Sequence, residues 1–124
     1  MEVEMRKATI RINRSPGAAI EEMGKRFIKA WKSGKSNGDI LQFESPTALF
    51  RVLTPKRWAL IERLQKLGPS SVRGLARELE RDVKRVHEDV TALIECGFIA
   101  RTDDRKFHVP YDVIHADFDL RAAA

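Results

Sequence analysis

Residues 70–109 read SSVRGLARELERDVKRVHEDVTALIECGFIARTDDRKFHV, and this stretch decides the fold. Ser70 to Leu79 holds a short helix, Glu80-Arg81 is a two-residue turn, and Asp82 opens a longer helix that Gly97 ends. A hairpin follows at once, with Phe98, Ile99, Phe107 and Val109 as its inner residues and Asp103-Asp104 near its tip. Helix, turn, helix and hairpin in that order describe a winged helix-turn-helix.

At 100° per residue, Val83, Val86, Val90, Leu93 and Ile94 of the second helix fall within about 100° and are expected to face the core. Arg81, Lys84, Arg85, Glu88 and Ala92 lie opposite. Asp82 suits the N-cap, where its carboxylate accepts a backbone N–H. A recognition helix offers its N-terminal half to the major groove, so Arg81, Lys84 and Arg85 are the expected readers of base edges. His87, on the flank of the apolar stripe, is expected to be a semi-buried packing residue within reach of phosphate. Arg101, Arg105 and Lys106 flank the hairpin tip and suit the phosphate backbone or minor groove, the aspartates acting as turn formers. Ser70, Ser71 and Arg73 could reach phosphate through hydroxyl, backbone N–H and guanidinium donors. A charged helix face is often only solvated. The preceding short helix, the tight turn and the hairpin weigh against that alternative here.

Working outward, Ser45-Pro46 and Thr54-Pro55 each pair an N-cap residue with proline at the first helical position. The first predicts a short helix with Leu49, Phe50 and Leu53 on one side. The second predicts a helix to Leu67, with Trp58, Ile61, Leu64 and Leu67 as its apolar stripe, ended by Gly68-Pro69. Ala8, Ile10 and Ile12 alternate with polar residues in a strand over about residues 3–13, with Val3 and Met5 off its parity. Ser15-Pro16 repeats the helix-start signal before Ile20, Met23, Phe27, Ala30 and Trp31, and Ile40, Leu41 and Phe43 suggest a short strand. Ile114, Ala116, Phe118 and Leu120 alternate with His115, Asp117 and Asp119, predicting a strand that pairs with the one near residues 8–12, in its own subunit or in a partner.

Composition narrows the class. The chain of 124 residues is 43% hydrophobic and 33% charged, which suits a folded domain rather than a disordered one. Its net charge of +5 favours polyanionic partners, and the excess lies in residues 1–110, since residues 111–124 hold one Arg against three Asp. A single cysteine excludes an intrachain disulfide and, with no apolar span or signal-peptide pattern, leads to an expected cytoplasmic location. His87, His108, His115 and Cys96 fall on different elements without metal-ligand spacing, so no metal is expected. Cys96 near a helix C-terminus is expected to be a passive thiol. Glu88-Asp89 projects about 100° apart and forms no carboxylate pair. With no phosphate-cradling loop, nucleophile–base set or cofactor signature, neither a catalytic residue nor a cofactor is expected, and the protein is not expected to be an enzyme.

Residues 45–120 resemble small prokaryotic winged-helix proteins of the MarR-like type, described as transcriptional regulators or DNA-binding antitoxins. The resemblance rests on Leu53-Thr54-Pro55-Lys56-Arg57, Val72-Arg73-Gly74-Leu75-Ala76-Arg77, Asp82-Val83-Lys84-Arg85-Val86-His87-Glu88-Asp89-Val90 and Val109-Pro110-Tyr111-Asp112. It implies sequence-specific binding of double-stranded DNA, usually as a homodimer. Glu80 stands where such proteins often have glycine, and Arg85 where a neutral polar residue is common, so no base preference is carried over.

The expected molecule is therefore α+β. An N-terminal strand–helix–strand segment (1–44, sheet and dimerisation), a winged helix-turn-helix (45–110) and a C-terminal strand and tail (111–124) completing a small sheet make up the chain. The expected function is transcriptional regulation by a DNA-bound homodimer. One alternative is an antitoxin that represses its own operon and covers a small basic toxin; another is a winged helix used only for protein interaction.

Overall fold

Hydroxyl-proline pairs start two helices for the reason the sequence predicts. The computed structural model describes residues 6–12 and 39–118. Helix α1 is Pro46–Val52, with the Ser45 hydroxyl accepting the Ala48 N–H at 3.1 Å. Helix α2 is Pro55–Leu67, with Thr54 accepting the Arg57 N–H at 3.3 Å. In both, proline occupies a first-turn site whose missing N–H costs nothing. Ser15-Pro16 and the helix expected after it lie outside the described residues, as do Val3, Met5 and Leu120.

Helices α3 (Val72–Leu79) and α4 (Val83–Glu95) are capped by Ser71 and Asp82, which accept the N–H groups of Gly74 and Arg85. Their C-termini close identically. Glu80 N–H donates to Arg77 O and Arg81 N–H to Ala76 O; Gly97 N–H donates to Ile94 O and Phe98 N–H to Leu93 O. Both are Schellman closures, which need a left-handed residue just past the helix. Gly97 supplies it at φ +87 without strain, and a Cβ there would lie 2.9 Å from Leu41 Cδ2. Glu80 adopts φ 54 with a full side chain, at a steric cost glycine would not incur.

Strands β1 (Lys7–Ile12), β2 (Asp39–Phe43) and β5 (Val113–Ala116) form an all-parallel sheet in the order β2-β1-β5. Ile10 stands opposite Leu41 on one side and Ala116 on the other. The C-terminal strand thus pairs with the expected strand, and does so within its own chain, the point the alternation leaves open. Strands β3 (Ala100–Arg101) and β4 (Phe107–His108) make an antiparallel hairpin, and Ser70 bridges to Phe107 on its other edge. The described chain is a mixed α+β fold of four helices and two small sheets.

One core joins these parts. Ala8, Ile10 and Leu41 from the sheet meet Leu60 and Leu64 of α2, Leu75 of α3, and Val86, Val90 and Leu93 of α4. Phe98 is fully buried and stacks on Phe43 with ring centroids 6.2 Å apart. Truncating a buried aromatic of this kind costs about 3–5 kcal/mol. The Tyr111 hydroxyl donates to Gly97 O at 3.2 Å, tying the start of the C-terminal segment to the end of α4.

Several expected core positions are corrected. Trp58 is 50% exposed, because the buried stripe of α2 is Leu60, Ile61 and Leu64 and Trp58 lies about 110° from its centre. Leu67 is exposed at the last turn of α2. Phe50 is 59% exposed and meets Phe118 edge-on at 6.2 Å rather than the core. Val83, the first residue of α4, is exposed, and the buried stripe starts at Val86.

Candidate nucleic-acid interface

The local chain geometry sorts the expected cations into two groups. Asp82 caps α4, so Lys84 and Arg85 fall in its first turn, opposite Val86 and Val90. Both are exposed, and neither side chain has a hydrogen-bond or ion-pair partner among the described residues. The first turn also carries unsatisfied backbone N–H groups and the positive end of the helix dipole, which favour a nearby anion.

Arg81 behaves differently. It was expected to project outward with Lys84 and Arg85, but its side chain is only 20% exposed and its Nη2 donates to Asp89 Oδ2 at 2.7 Å. Its Nη1 is buried without a partner among the described residues. Asp89 also accepts from Arg57 Nε at 3.0 Å, while Arg57 Nη1 donates to Val52 O at 3.0 Å. Burial pushes the Asp89 carboxyl up, but the hydrogen bonds from Arg81 and Arg57 outweigh it and hold the group below its ordinary range. Arg57–Asp89–Arg81 is therefore an internal clamp that joins α2, α4 and the turn before α4. Sequence reasoning gave neither Arg57 nor Asp89 this role. The eight-residue spacing from Arg81 to Asp89 hinted at a shared side, but Arg57 gives no local signal.

The other expected contacts divide as well. His87 is exposed rather than semi-buried, and so lies on the open side of α4. Ser70 spends its backbone N–H on Phe107 O at 2.9 Å and its hydroxyl proton on Gly68 O at 2.9 Å, which withdraws both donors from the expected phosphate contact. Ser71 accepts from Gly74 N–H but stays exposed, and Arg73 beside it is exposed without a partner among the described residues. At the hairpin, Arg101 lies over the Phe107 ring, 5.8 Å from its centroid. Arg105 occupies the left-handed region at φ 63, and Thr102 N–H donates to Lys106 O at 2.9 Å. The Thr102 hydroxyl bonds the Asp104 carboxylate, so this aspartate shapes the turn. Lys106 stands 3.8 Å from Asp104, an exposed pair worth little in water.

The free thiol of Cys96 is half-buried at the end of α4, and burial followed by the charge of Glu95 raises its pKa, keeping it a thiol. No group of His, Cys, Asp and Glu among the described residues could hold a metal ion, and none of their helices is long and apolar enough to cross a membrane.

The stretch from the last residue of α1 to the end of β5 defines the class. Residues 52–116 match the HVO_A0114 family, and the chain belongs to it. No curated protein and no solved structure matches the chain at a significant level.

Proposed function

We propose that the protein is a winged helix-turn-helix DNA-binding transcriptional regulator. In this role α4 enters the major groove and the β3–β4 hairpin is the wing. Lys84 and Arg85 read base edges, with His87 one turn further along the same open side. Arg73 and Ser71 at the start of α3, and Arg101, Arg105 and Lys106 on the wing, hold the phosphate backbone. The observation that carries the proposal is the pair Lys84 and Arg85, exposed without partners in the first turn of a helix whose opposite face is fully buried. Such an arrangement leaves cationic donors free at the position a recognition helix presents to DNA. Acting as a homodimer, the protein would select inverted half-sites about one helical turn, or a multiple, apart.

The test starts from DNA fragments selected by the protein from its native genome. Wild-type affinity for a selected fragment is expected to fall steeply with salt, with a log–log slope of about −0.9 per neutralised phosphate. Lys84→Glu is expected to lose specific binding by at least about 100-fold while keeping the fold, since discriminating contacts are worth about 1–3 kcal/mol each and a reversed charge adds repulsion. Retention of wild-type affinity by Lys84→Glu at matched salt rejects the proposal.

A further inference from the structure

Away from α4, a cavity of about 260 Å³ opens between α2 and the start of β5. Its described lining is mostly apolar: Leu53, Trp58, Ile61, Phe98, Val113 and Ile114. The Trp58 indole is 50% exposed and Val113 38% exposed, so apolar surface stays open to solvent there. The polar lining groups are Glu62, Asp112 and Gln65, and no described lining residue is basic. Asp112 accepts the Arg6 N–H at 2.8 Å, and Gln65 donates to Tyr111 O at 3.2 Å, which leaves its amide oxygen as an acceptor. The Glu62 carboxylate has no hydrogen bond or ion pair among the described residues. Of the nearby cations, Arg63 pairs with Glu78 at 2.6 Å and the Arg6 guanidinium with Asp39 at 3.2 Å, while Lys66, one turn beyond Glu62 on α2, is exposed and forms no ion pair with it.

Glu62 is the fourth residue after Trp58, so the two share one side of α2. An electron-rich indole face, an unpaired carboxylate and a mostly apolar wall together complement one ligand chemistry. We propose that this cavity binds a small aromatic cation, its ring against Trp58 and its positive charge facing Glu62. A dry cavity of roughly 150 Å³ accommodates benzene, so this one suits a one- or two-ring ligand. Desolvated cations gain from an indole face and from a carboxylate with no competing partner, whereas anions would meet two carboxylates.

The cavity also touches the apparatus proposed for DNA. Phe98, in its wall, donates its N–H to Leu93 O at the end of α4, and Trp58 follows Arg57, which holds Asp89 of that helix. Given the DNA-binding role proposed above, occupancy would be transmitted to α4 along these two routes.

Calorimetry on the whole chain without DNA tests the site, with 1-methylquinolinium as the probe and quinoline as its neutral counterpart, at a mildly alkaline pH where quinoline is uncharged. The cation is expected to bind one per chain and at least about fivefold more tightly than quinoline. Glu62→Gln, at an exposed position, is expected to erase that preference while keeping quinoline binding, and Trp58→Ala to abolish both. Absence of saturable binding, equal affinities for the two probes, or a preference that survives Glu62→Gln would overturn the site. So would a Trp58 indole NMR signal that shifts with protein concentration alone, since a second copy would then occupy the cavity. The calorimetry contains no DNA, so it stands or falls apart from the DNA-binding role. Transmission is read separately, as a change of at least about threefold in affinity for the selected fragment at saturating probe; an unchanged affinity overturns the transmission.

Discussion

Arg81 and Arg85 stand one helical turn apart in sequence, yet the fold gives them opposite environments. Arg81 turns inward and joins Arg57 on the Asp89 carboxylate, with all three side chains between 15% and 22% exposed. Arg85, with Lys84, faces water without a partner among the described residues. A cation inside such a clamp has exchanged hydration for fixed partners, so removing any partner strands a charge. A cation on the open face has no protein partner to give up when it meets a phosphate, only part of its hydration. Inner cations therefore set the shape of the surface, and outer cations supply what it can bind.

Swapping the disturbance between the groups should break this contrast most sharply. Lys84→Glu is expected to lose specific DNA affinity by the factor given above, with an unchanged urea midpoint. Asp89→Ala is expected to lower stability by about 2–4 kcal/mol in urea denaturation, because two partly buried guanidinium groups are left without their acceptor. If Asp89→Ala unfolds at the wild-type midpoint, the clamp is not structural.

Acid should sharpen the same contrast more gently. The Asp89 carboxyl is depressed in the folded protein, so its ionised form contributes stability above its unfolded value of about 4. That contribution is lost as pH falls through the lower folded value. Asp89→Asn should therefore show a shallower loss of stability below about pH 4 than the wild type, measured by urea midpoints along a pH series. Identical pH profiles would mean that Arg57 and Arg81 do not hold the carboxylate.

The smallest expected effect lies in the turn that orients Arg81. Glu80→Gly keeps the Schellman hydrogen bonds and relieves the left-handed strain that Gly97 avoids at the end of α4. It is expected to raise stability by about 0.5–1 kcal/mol, the steric relief exceeding the entropy glycine adds to the unfolded chain. A loss of stability instead would show that the Glu80 side chain contributes more than its backbone costs.

Four kinds of feature were readable before any coordinates. The cap-plus-proline pairs at Ser45-Pro46 and Thr54-Pro55, the Asp82 cap, the buried face at Val86, Val90 and Leu93, and the alternation at Ile114 each depend on a few neighbouring residues. Hydrogen bonding at a helix start and periodicity along a helix or strand are local, so the chain carries them in order. The exposed positions of Lys84 and Arg85 follow from the same helical phase.

Tertiary structure decided what distant segments do to one another. Arg57 lies 32 residues before Asp89, and only the approach of α2 to α4 adds it to the Arg81–Asp89 pair and completes the clamp. Ser70 lost its free backbone donor when Phe107 came alongside, and Trp58 left the core because Leu60, Ile61 and Leu64 filled α2's share of it. The cavity beside Trp58 exists because β5, pairing in parallel with β1, leaves Val113 and Ile114 opposite α2 with space between them. Periodicity says which side of an element is apolar; where neighbouring elements stop decides which cations are spent and which surfaces stay open.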